Sequence, residues 1–126
     1  MRTITAYMSD GDTITTGING TDEEILKYYL GSRFTLSCET RYHVALLVHF
    51  HDTDRKAGLR VKNIESGWTG FIADVRAETV QVDDENSFEE IFVKTRNGHE
   101  YALNDVWVFD REGHWIKGIG YKHPVA

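Results

Sequence analysis

Short apolar runs separated by turn-forming residues recur along this chain, and their period is two almost throughout. From Thr3 to Met8 and from Thr13 to Ile18, apolar residues alternate with threonine on either side of Ser9-Asp10-Gly11-Asp12, which predicts a β-hairpin. With Asp10, Gly11 and Asp12 as the loop, Met8 faces Ile14, Ala6 faces Thr16 and Ile4 faces Ile18. That register gathers the apolar residues on one face.

The period changes once, between Asp22 and Leu30. Ile25, Leu26, Tyr29 and Leu30 form an apolar stripe at helical spacing. Thr21 with Glu24 three residues on has the capping-box pattern, and Gly31 supplies the stop. So short a helix needs a sheet to lie on.

Strand patterns return at Arg33–Cys38 and Tyr42–His51. The second is apolar on both faces through its middle, as expected of a central strand. Asp52 to Ala57 reads as a polar loop. A meander then follows: Leu59–Ile64, Trp68–Val75, Thr79–Val82, Phe88–Thr95, Glu100–Leu103, Val106–Phe109 and His114–Lys117. Asn97-Gly98 marks a two-residue turn that sets Val93 opposite Ala102 and Phe92 opposite Leu103. The expected fold is mainly β, or α+β by strict count. An N-terminal β-hairpin and one short helix lie on a curled antiparallel sheet, with an SH3-like small barrel in the second half. One domain is expected over 1–126: hairpin, helix and two strands to 57, the meander from 58 to 117, and an irregular tail from 118 to 126.

Composition sharpens this. The chain has 126 residues, enough for a real core, and 12% are aromatic, which argues against disorder. There are 20 acidic and 14 basic residues. A protein that tracks a phosphate backbone needs the opposite balance, so the charge disfavours nucleic acid as a partner and favours a basic protein surface. Cys38 is the lone cysteine, so no intrachain disulfide can form, which suits a reducing cytoplasm. No apolar run is long enough to span a membrane.

Few residues suggest chemistry. No phosphate loop, nucleophile elbow or zinc-finger spacing is present, so no catalytic residue is assigned. His49 and His51 project from one strand face and offer two ligands to a divalent transition metal, the alternative to a cofactor-free protein. A third ligand is not evident from the sequence; His43, His99, His114, His123 and Asp54 are the possibilities. Asp10-Gly11-Asp12 and Asp52-Thr53-Asp54 suit turns better than a calcium loop, and Cys38 suits a small core residue better than a nucleophile. Trp68, beside Gly67 and Gly70, is the tryptophan expected to be most exposed, and so a candidate binding residue on which a peptide or a base could stack. Arg55, Lys56, Arg60 and Lys62 form a small basic cluster. Asp83, Asp84 and Glu85, with Glu89 and Glu90, form an acidic run suited to docking a basic surface. Together these features point to a non-enzymatic cytoplasmic interaction protein, of a size and style carried by phages and other mobile elements. Unblunted strand edges and a generous aromatic supply predict a homodimer.

Overall fold

The computed structural model describes residues 1–34, 43–116 and 119–120. Strands β1 (Arg2–Met8) and β2 (Thr13–Ile18) form the N-terminal hairpin. Its register differs from the expected one by two residues: Ile4 faces Thr16, Ala6 faces Ile14 and Arg2 faces Ile18. The loop is Ser9-Asp10-Gly11, closed by Met8 N–H on Asp12 carbonyl oxygen at 2.8 Å. Gly11 takes the third loop position with φ +92°, a conformation that glycine adopts without steric cost. Because the slip is even, the apolar face is preserved, and Ile4, Ala6 and Met8 are buried.

Helix α1 (Asp22–Tyr29) follows. Thr21 caps it as expected: Glu24 N–H donates to the Thr21 hydroxyl, and Thr21 N–H donates to the Glu24 carboxylate. Ile25 and Leu26 turn inward. After β3 (Arg33–Phe34) comes β4 (His43–Phe50), which is central: it pairs with β1 on one edge and with β3 and β5 on the other. Strand β5 (Arg55–Gly58) lies where a polar loop was expected. The turn His51–Asp54 lets the chain fold straight back, so that Phe50 faces Arg55, with Asp54 at φ +57°. The expected continuation of β3 to Cys38, and Tyr42, lie outside the described residues.

The second sheet is a curled antiparallel half-barrel in the order β10-β6-β7-β8-β9. It comprises β6 (Arg60–Asn63), β7 (Thr69–Gln81), β8 (Ser87–Thr95), β9 (Glu100–Ala102) and β10 (Val106–Phe109). Two expectations change here. The strands foreseen at Trp68–Val75 and Thr79–Val82 are one continuous strand, because β8 pairs along it from Ile72 to Gln81 and supplies partners through the polar middle. At Asn97-Gly98 the loop holds three residues, Arg96 to Gly98, so Val93 faces Tyr101 and Phe92 faces Ala102. Thr95 N–H donates to His99 oxygen, and Gly98 sits at φ +89°. The same closure recurs at Arg111–Gly113, with Gly113 at φ +91°.

The two sheets share one apolar core that includes Ile4, Ile25, Leu46, Phe50, Ile72, Val93 and Val106. They meet where Gly58 crosses β7. A Cβ on Gly58 would lie 1.9 Å from the carbonyl oxygen of Ile72, so only glycine fits.

Candidate functional site

Beyond its pairing with β6 and β9, the β7–β8 hairpin projects as a two-stranded arm. Among the described residues no other strand pairs with β7 between Asp74 and Gln81 or with β8 between Ser87 and Ile91, apart from their pairing with each other. The base is seated on the body: Gly11 lies against Ile91 and Ala77. The distal half is exposed, including Phe88 and Val82.

Charge is concentrated on this arm. Between Ala77 and Val93 stand six carboxylates (Glu78, Asp83, Asp84, Glu85, Glu89 and Glu90) and no Lys or Arg. Taking six from 20 leaves 14 acidic residues against 14 Lys and Arg, so the rest of the chain is formally neutral. The arm carries the whole net charge of −6. Glu78 and Glu90 face each other directly across the strands, a like-charge pairing that opposes folding. Arg76 relieves one side: its guanidinium pairs with Glu78 and with Glu100, and lies over the Phe92 ring. The Glu100 and Glu78 carboxylates hold Arg76 above its ordinary pKa, and Arg76 holds Glu100 below the usual carboxylate range.

The three expected binding acids are not equivalent. Asp83 accepts from the Asn86 side chain and from the Glu85 and Asn86 backbone N–H groups, which hold its pKa below the usual range. It closes the turn. Asp84 and Glu85 are exposed, and Glu89 and Glu90 continue the acidic surface down the strand.

At the base of the arm the outer face of the second sheet has a different character. Register aligns Phe109, Arg60 and Phe71 across β10, β6 and β7, and Arg96 donates its backbone N–H to the Phe71 carbonyl. Arg60 lies over the Phe109 ring at 5.0 Å and Arg96 over the Phe71 ring at 5.3 Å. Lys62 over Trp107 forms a parallel step. Within this basic cluster, Arg55 is committed elsewhere, to Asp22 at 2.6 Å. Trp68 is exposed as expected, with its ring 4.6 Å from that of His99, which in turn stacks on Tyr101.

His49 and His51 are neighbours, with ring centroids 5.0 Å apart. His49 Nε2 donates to Asp54 at 2.7 Å, whereas His51 Nε2 shares a hydrogen bond with Thr5, itself bonded to Thr15. His43 sits at the far end of β4, 3.2 Å from Asp10. Among the described residues no three His, Cys, Asp or Glu side chains converge to hold a metal ion. Cys38 and His123 lie outside the described residues. Asp10 accepts from Asp12 N–H, and Asp52 from Arg2, so both acidic pairs are built into turns and ion pairs. No described helix is long and apolar enough to cross a membrane.

Sequence reasoning missed Phe71 and Arg96, whose proximity to Arg60 depends on the pairing of three strands. It also missed Glu78 as part of the acidic surface, because a break was expected in the middle of β7. Compared with protein-family models, curated proteins and solved structures, the chain matches none.

Proposed function

We propose that this chain is a non-enzymatic cytoplasmic interaction protein, of the kind carried by phages and other mobile elements, whose acidic arm docks on a basic protein surface. One observation carries the reading: all of the net negative charge stands on one projecting hairpin that also exposes Phe88 and Val82. Six carboxylates kept together cost stability through mutual repulsion, and a partner supplying Lys and Arg offsets that cost on binding. The apolar pair gives the contact a dry centre and the acids give it a charged rim. Surfaces that ordinarily hold nucleic acid meet this description.

The test compares wild-type protein with the variant Asp84→Lys, Glu85→Lys, Glu89→Lys, Glu90→Lys. Asp83 stays, because changing it opens the turn. Proteins captured from lysate by the wild type are identified, and each is then measured in purified form. The expected partners are basic, and their association slows steeply as salt rises from about 0.05 M to about 0.5 M, where screening shortens the reach of the charges. Equal affinity of the same partners for the reversed variant removes the arm from the function.

A further inference from the structure

We propose that the protein forms a two-fold dimer in which the arm of each copy docks on the arginine–phenylalanine ladder of the other. This rests on the reading of the arm as a ligand for basic surfaces, and it names one such surface.

The two surfaces are opposites built to one plan. On the arm, Val82 and Phe88, 65% and 51% exposed, are bordered by Asp84, Glu85 and Glu90. On the ladder, Phe71 is 48% exposed between Arg60 and Arg96. Neither of these two arginines has a carboxylate within salt-bridge distance among the described residues, whereas Arg2, Arg55, Arg76 and Arg111 each have at least one. Stacking on a phenylalanine ring holds a guanidinium in place and leaves its edge donors free for carboxylates. The ladder forms one wall of a cleft of about 370 Å³, with Leu26 and Leu30 opposite, a volume in the range that receives side chains or small ligands. Three acids also line this cleft: Glu23 is taken by Arg111, Asp110 accepts from the backbone of its own loop, and Glu112 is exposed, 3.6 Å from His114.

Geometry selects a second copy. Strand β7 runs unbroken from Phe71 at the ladder to Gln81 near the tip, which at ~3.3 Å per residue is ~33 Å. A tip therefore cannot reach its own ladder. Two arms laid antiparallel about a two-fold axis place each tip at the base of the other, which satisfies both contacts at once and closes the assembly. The edge of β7 from Asp74 to Gln81 that faces away from β8 lies on the β6 side, where Arg60 stands, and among the described residues it pairs with no strand. A parallel alignment would set six carboxylates against six, so the antiparallel arrangement is the one that charge permits.

The test uses two purified variants, a ladder reversal (Arg60→Glu with Arg96→Glu) and an arm reversal (Glu85→Arg with Glu90→Arg). Size exclusion with light scattering should give twice the chain mass for wild type and the single chain mass for each variant. The dimer Kd should rise at least about tenfold in each, or about 1.4 kcal/mol. Mixing the two variants in equal amounts should restore the double mass, because both cross-contacts then pair opposite charges. That recovery also shows that both variants are folded. A monomeric wild type, or dimers that persist in both variants, overturns the proposal, as does a mixture of well-folded variants that stays monomeric. Capture of basic partners by the arm is a separate readout. It survives a failed dimer, and its loss would sink the broader reading instead.

Discussion

Gly58 shows how much a single position decides. Added carbon at that point meets the Ile72 carbonyl, part of the backbone that joins the two sheets, and backbone cannot swing aside as a side chain can. Gly58→Ala is expected to cost about 3 kcal/mol, the upper end of ordinary overpacking. Gly67 is the control: its φ of +72° also favours glycine, but nothing lies within 4 Å of an added carbon. Gly67→Ala should cost only about 1 kcal/mol of backbone strain. Urea midpoints of the two variants measure the contrast, and equal losses would mean that close approach at Gly58 does not hold the sheets together.

Single elements carry two opposed tendencies. Helix α1 is locally well specified, since its cap satisfies two free backbone donors and Asp22, Glu23 and Glu24 occupy its first turn. Thr21→Ala should lower stability by about 1 kcal/mol, read from the denaturant midpoint. The arm behaves in the opposite way. Glu78 opposite Glu90 is a local defect, so Glu90→Gln should raise stability by about 0.5 kcal/mol while weakening the association with a basic partner. Thermal melts together with partner affinity decide this. A stabilised variant with undiminished affinity would leave the pairing without a functional reason.

Across the whole molecule, distant segments are tied by a charge network at the N-terminal end. Arg2 on β1 pairs with Asp22 on α1 and with Asp52 in the turn after β4, and Arg55 on β5 joins Asp22. Arg55 and then Arg2 lower the Asp22 pKa, and Arg2 lowers that of Asp52. Depressed carboxylates stabilise the fold fully above their unfolded value, near 3.9, and the contribution is lost as pH falls through the lower folded values. Asp12, raised mainly by the neighbouring Asp10 charge, works in the other direction and gains stability as it is protonated. The expected outcome is a fall in melting temperature between about pH 4 and pH 2 that is smaller in Arg2→Met than in wild type. Identical acid limbs would show that the network adds nothing beyond solvent-exposed pairing.

Local physics made much of this protein legible in its residues. Alternation of apolar and polar positions marks the strands, because side chains on a strand alternate faces. The capping box marks the helix start, because its donors are satisfied within four residues. The acidic run and the exposed Trp68 could also be read directly. What tertiary structure decided is pairing. The first hairpin keeps a three-residue loop but starts it one position earlier, at Ser9, which moves the register by two residues, and the loop ending at Gly98 takes three residues where two were expected, which moves that register by one. The polar stretch from Arg76 to Glu78 stays in β7 only because β8 provides partners there. The same holds for the surfaces that carry the functional reading. Phe109, Arg60, Phe71 and Arg96 are scattered in sequence and adjacent only through strand register, and a net charge of −6 becomes a charged arm beside a neutral body only once the hairpin leaves the sheet.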